Sequence, residues 1–160
     1  IVFCLMITEQ LFFSSSFCTI FWFKFIRGIF RGIGMSNELI SRDEGEHYRN
    51  GLYIYKVLKL EGFTIAPDRI INIICQATDI EKKIASKITL TVEGMNKNLM
   101  CQYIEYMSDK IMSDIREKKI YNSTNPFPFM DQFGIEKKID GFHRKSTSYT
   151  NYVEEEFKLN

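Results

Sequence analysis

The chain opens on the run "IVFCLMITEQLFFSSSFCTIFWFKF", which constrains the fold more than any other stretch. It is long and apolar enough to cross a bilayer. Yet Glu9 and Gln10 stand in its middle, with Ser14, Ser15 and Ser16 close behind. An acid at that depth costs about 2.5–3.5 kcal/mol on insertion scales. A secretory signal fits poorly, because no basic segment precedes the run and no clear small-residue cleavage site follows it. A helix buried inside a helical bundle is therefore the expectation, in preference to a membrane span.

Three further helices follow from periodicity. The first expected helix covers residues 1–26 and ends toward Gly28, Gly32 and Gly34. The second is expected from Ser36, as N-cap, to Leu60. Its inward stripe is read as Ile40, Gly51, Ile54 and Leu58. The third starts at Pro67-Asp68, a pair suited to a first helical turn, and runs to Leu90. Its stripe is Ile70, Ile74, Ala77, Glu81, Ile84 and Ile88. The fourth covers residues 97–115, with Met100, Tyr103, Ile104, Met107 and Ile111 inward. "NSTNPFPFM" breaks any helix after Lys118, and no strand pattern or internal repeat is present. The fold class is all-α. Residues 1–134 form the helical body, and the polar stretch 135–160 reads as a flexible tail.

Composition removes several function classes. The net charge of +1 comes from interspersed acids and bases, so no basic stripe points to nucleic acid. Cys4, Cys18, Cys75 and Cys101 are scattered, with no C-x-x-C pair. They read as reduced thiols of a cytoplasmic protein. The chain starts at Ile1 inside an apolar run, as the back part of a longer polypeptide would.

Chemistry enters at Glu44 and His47. They stand at i and i+3 and so leave one helix face together. Among Ile40, Gly51 and Ile54 that face is expected to point inward, where an acid needs a partner or a metal. In the first helix Glu9, Phe13 and Phe17 recur at i, i+4 and i+8, placing a second isolated acid on an aromatic stripe. Ferritin-like di-iron proteins take one Glu from each of two helices and an E-x-x-H from each of two others. This sequence supplies one of each, half of such a set. Glu81 is read instead as a rim acid paired with Lys82, Lys83 or a neighbouring helix. His143, the only other histidine, lies in the polar tail, and Trp22 and the tyrosines of "YRNGLYIYK" read as packing residues.

"TEQLFFSSSFCTIFWFK" followed by "SNELISRDEGEH" resembles the small subunit of class I ribonucleotide reductase. "NLMCQYIEYMSDKIM" and "NPFPFM" continue the likeness in order, to about Tyr149. The resemblance implies a partial ferritin-like bundle lacking its N-terminal helices. It implies that Glu9 and His47 bind one iron of a pair and that Glu44 bridges both. Asp43 corresponds to an acid that hydrogen-bonds a ligand histidine on the other iron and joins the radical-transfer route. Phe13, Phe17 and Ile40 correspond to the apolar pocket around a stable tyrosyl radical. Tyr149 corresponds to the tail tyrosine that relays the radical, and "FKLN" to the start of the peptide that docks on the large subunit. The implied function is supply of a tyrosyl radical, made with iron and O₂, for reduction of ribonucleotides to deoxyribonucleotides. The implied partners are the large subunit and a second small subunit, as homodimer or heterodimer. The sequence departs from the family at "EHYRN" (46–50), more polar than the usual "LHCDF". Ser15 stands where the family usually has Gly, and "FHRKSTSYT" lacks the nearby Glu-Lys-Arg pattern.

Overall fold

The computed structural model describes residues 1–133 apart from Glu93. The expected tail, with His143, Tyr149 and Phe157, lies outside the described residues. Among the described residues every regular element is helical: α1 (Val2–Ile7), a π-helical segment (Thr8–Phe12), α2 (Ser14–Phe25), α3 (Arg31–Leu60), α4 (Pro67–Thr91), α5 (Lys97–Asp114) and a short 3-10 turn (Pro128–Phe133). The all-α class holds.

Two elements start where they are expected. Pro67 starts α4 with Asp68 in its first turn, where a carboxylate faces the positive end of the helix dipole. Asn96 caps α5, its Oδ1 accepting from the backbone N–H groups of Asn98 (2.8 Å) and Leu99 (3.1 Å). The inward stripe of α5 is as expected: Met100, Tyr103, Ile104, Met107 and Ile111 are all buried. They pack mainly against α4.

Three expectations need correction. The opening helix is not continuous, because the π-helical segment interrupts it. A π turn holds an extra residue, so the side chains on either side no longer share one α-helical stripe. Phe13 is accordingly 39% exposed, while Phe17 is half-buried. Second, α3 starts at Arg31 and Ser36 lies inside it. The entry is set by Phe30 in the left-handed region (φ 53°), with its ring edge-on to Phe23 at 5.4 Å. Lys24 then fastens the first turns of α3, donating to Glu38 at 2.7 Å. Third, the buried face of α3 is Gly34, Tyr48, Gly51 and Tyr55. Ile40 and Ile54 are 46% and 47% exposed. α3 carries apolar residues on two faces, and the close approach of α1 selects one of them. A Cβ at Gly51 would meet Met6 Cγ at 2.9 Å, so glycine lets the two helices touch there.

The α4 stripe holds at Ile70, Ile74, Ala77 and Glu81, then passes through Ala85 and Thr89, leaving Ile84 exposed. The stretch Val2–Phe25 is apolar and long enough to cross a membrane. Phe3, Met6, Ile7, Leu11, Cys18 and Phe21 along it are buried in the common core.

Beyond α5 the chain doubles back over the bundle. Asp109, 1% exposed, accepts from the backbone N–H groups of Ile120 (2.8 Å), Tyr121 (2.9 Å) and Ser123 (2.9 Å). This clamp delivers Phe127 and Met130 into the core, so "NPFPFM" is ordered without being α-helical.

Candidate metal centre

Glu9 sits in the π-helical segment, and Glu44 and His47 lie one turn apart on α3. α3 packs against α1 and the π segment, which brings the three side chains together. One ligand atom from each falls within 4.8 Å of the other two. His47 Nδ1 is 3.0 Å from Glu44 Oε2 and 3.6 Å from Glu9 Oε2. The π turn matters to this convergence, since such bulges re-aim a side chain within a helix.

The electrostatics are those of two carboxylates and an imidazole held together. A hydrogen bond with Glu44 raises the Glu9 carboxyl above its ordinary range, and burial adds to the shift. The same hydrogen bond lowers Glu44, and His47 lowers it further. The bond to Glu44 raises the His47 imidazole. Two like charges this close favour sharing a proton or a cation. Two carboxylate oxygens and one imidazole nitrogen form a donor set that suits a first-row divalent metal. The residues present therefore fit iron, as half of a four-helix set.

One expectation about the cluster is corrected. Glu9 and Glu44 are half-buried, but the His47 side chain is 59% exposed. The E-x-x-H face turns outward from the described core, because Tyr48 and Gly51 take the inward positions. Tyr48, 0% exposed, donates its phenol O–H to Asp114 Oδ2 at 2.8 Å and ties α3 to α5.

The other expected residues divide. Phe17 lines an open cleft of about 640 Å³ together with Glu9, Glu44, Phe21, Tyr103 and Asp114. Phe13 lies tilted against Phe17 with ring centroids 6.2 Å apart, but it and Ile40 are exposed and do not line the cleft. Asp43 is 67% exposed beside Arg42, at 4.0 Å.

Glu81 overturns the rim reading. It is 0% exposed and has no lysine partner among the described residues; its Oε1 accepts from Ser15 N–H (3.2 Å) and Ser15 Oγ–H (2.5 Å). Lys82 instead pairs with Glu105 at 2.6 Å. The signal was in the sequence, since Glu81 falls on the apolar stripe of α4. It does not belong to the Glu9, Glu44 and His47 cluster.

Comparison with known proteins agrees with this arrangement. The family model for the small chain of ribonucleotide reductase matches residues 1–126, the stretch that contains the whole cluster. The ribonucleoside-diphosphate reductase small chain of Encephalitozoon cuniculi is 39% identical over 142 residues, covering 88% of this chain and 42% of that protein. The small chain of Trypanosoma brucei brucei is 41% identical, covering 88% and 41%. That of vaccinia virus is 39% identical, covering 88% and 43%. The chain thus spans about two fifths of the length of these relatives. With residues 1–126 matched by the family model and 88% of its length aligned to relatives at 39% and 41% identity, the chain belongs to the ribonucleotide reductase small-chain family.

Proposed function

We propose that the chain forms part of a radical-generating small subunit of ribonucleoside-diphosphate reductase, in which Glu9, Glu44 and His47 hold iron. One observation carries this reading: an acid on one helical segment converges with an E-x-x-H on another, each atom within 4.8 Å of the rest. In a ferritin-like site the remaining ligands come from a second Glu helix and a second E-x-x-H helix. The described residues supply one of each. A bound iron pair would supply, with O₂, the oxidising power that makes a tyrosyl radical.

The chain's own residues have separate tasks in this reading. Glu9 and Glu44 would bring negative charge to offset that of a bound metal. His47 supplies a neutral nitrogen ligand once its proton is displaced. Phe17, with Phe13 and Ile40 once covered, keeps water from the radical's surroundings. Asp43 and Tyr149 serve radical transfer toward a large subunit. The tail 135–160 docks on that subunit, and the body pairs with a second small subunit in the cytoplasm.

A second reading is a relative without activity that only packs against a complete subunit. The 59% exposure of the His47 side chain favours it. Partner binding is tested by mixing the chain with a ribonucleotide reductase large chain. Capture that a peptide of residues 145–160 displaces supports the subunit reading. No capture at high concentration counts against the subunit reading and the docking role of the tail. Iron held through Glu9, Glu44 and His47 then separates the active subunit from the structural relative.

A further inference from the structure

Glu81 is the most deeply buried carboxylate among the described residues. It stands on the core stripe of α4 between Ala77 and Ala85, and is itself 0% exposed. Its Oε2 has no hydrogen-bond partner among the described residues. A buried carboxyl half satisfied in this way is costly unless its other oxygen does something apolar packing could not. That oxygen, Oε1, receives both the backbone N–H and the hydroxyl of Ser15, 66 positions away in sequence.

Ser15 occupies a critical place. It is the second residue of α2, just after the π-helical segment ends at Phe12 and the chain passes Phe13. The first N–H groups of an α-helix have no partner within their own helix, and a carboxylate placed there satisfies one and faces the positive end of the dipole. Ser14 secures the other side of the junction, its hydroxyl donating to Leu11 carbonyl at 2.7 Å. α4 packs against both the π segment and α2. The junction is thus anchored to a neighbouring helix at one side chain.

A π turn is rarer than the α-helix it interrupts and persists where its surroundings hold it. Relaxing it to α-helix would remove one residue from the turn, a rotation of about 100° for what precedes it. Glu9 lies inside that turn, so such a rotation would carry its carboxylate away from Glu44 and His47. We infer that Glu81 is a positioning residue: by clamping Ser15 from α4 it fixes the π-to-α junction and so holds Glu9 in register with Glu44 and His47. The inference rests on the proposed metal role of those three residues, but the clamp can be measured without metal.

The test uses the 160-residue chain with Glu81→Leu, Glu81→Gln and Ser15→Ala. Amide exchange is followed along the chain. The His47 imidazole is followed by NMR in a His143→Gln background, which leaves one histidine. With Glu81→Leu, exchange over residues 8–15 should rise by more than about tenfold, since one hydrogen bond to a charged group carries about that factor and two are lost. The His47 resonances should move toward those of an unpaired histidine. Glu81→Gln keeps an oxygen acceptor and should restore both. If Glu81→Leu does not fold, Ser15→Ala carries the test through a smaller rise, about threefold, confined to the same residues. Exchange rising equally in every helix, Gln behaving as Leu, or an unmoved His47 signal would each overturn the inference. A Co(II) titration of the unsubstituted chain separates the two ideas. Binding that does not depend on Glu9 removes the metal reading, whereas the exchange and imidazole data judge the clamp alone.

Discussion

Replacing Asp109 with Ala should undo the segment that follows α5. The side chain is 1% exposed and accepts three backbone N–H bonds, at 2.8, 2.9 and 2.9 Å, from Ile120, Tyr121 and Ser123. A hydrogen bond to a charged group contributes roughly 1.5–3 kcal/mol. Three would sum to about 4.5–9 kcal/mol, but two corrections lower the figure. The donors are only partly buried, so water can replace some of what is lost. Removing the carboxylate also ends the cost of burying it. A loss of about 3–5 kcal/mol results, a large share of the roughly 5–15 kcal/mol of a typical domain. Asp109→Asn keeps one oxygen but turns an NH₂ toward one or more of the three donors, so about 1–2 kcal/mol is expected. Urea unfolding followed by circular dichroism gives the stability, and amide exchange at residues 120, 121 and 123 gives the location. A loss below about 1 kcal/mol for Ala, or an Asn variant as unstable as Ala, would refute the clamp.

The remaining predictions concern titration, thiol access and metal. Burial and the neighbouring Asp114 push the Tyr48 phenol up, burial raises Tyr103, and burial pushes Tyr121 up to about 12. Their folded values exceed the unfolded value of about 10. Their stabilisation is complete below that pH and is lost as pH rises through the folded values. Urea midpoints should therefore begin to fall near pH 10 and keep falling through about pH 12, less steeply in Tyr48→Phe, if ionisation of these phenols drives the loss. Cys4 is exposed, whereas Cys18 is 0% exposed with its thiol pushed up by burial. A thiol reagent should modify Cys4 at once and Cys18 only as fast as the chain opens; equal rates would contradict the core assignment. In a polypeptide with the complete ligand set, Glu44→Ala should lower iron below two per chain, because the repulsion between two cations is then less well neutralised. Unchanged iron content would remove the bridging role.

Helix existence was legible because each long helix carries a strong apolar period, and α4 also carries a clear start signal at Pro67. The π turn was not. Glu9 and Phe13 fit ordinary α spacing in sequence, and the extra residue arises from contacts with α3, α4 and α5 that no local pattern encodes. The start of α3 was misplaced for a similar reason: Phe30 enters it in a left-handed conformation stabilised by Phe23, where Ser36 offered an ordinary cap signal. Pairing Glu9 with Glu44 and His47 needed only their residue types and helical spacing. The direction of their face did not follow, since Ile40 and Ile54 make a second apolar stripe on α3. Glu81 was misread because flanking lysines suggest a rim, while its place between Ala77 and Ala85 already put it in the core.

The central claim, that Glu9, Glu44 and His47 act together as metal ligands, is tested most directly by titrating the 160-residue chain with Co(II) under anaerobic conditions. Absorption reports geometry, and His47 NMR reports imidazole ligation. The account predicts at most one weakly held ion per monomer, coordinated through His47 and lost in Glu9→Ala, Glu44→Ala and His47→Ala. It also predicts no tyrosyl radical after iron and O₂ are supplied, because a carboxylate-bridged pair draws ligands from four helices. Binding indifferent to all three substitutions would contradict the account. So would a soluble monomer holding two tightly bound irons.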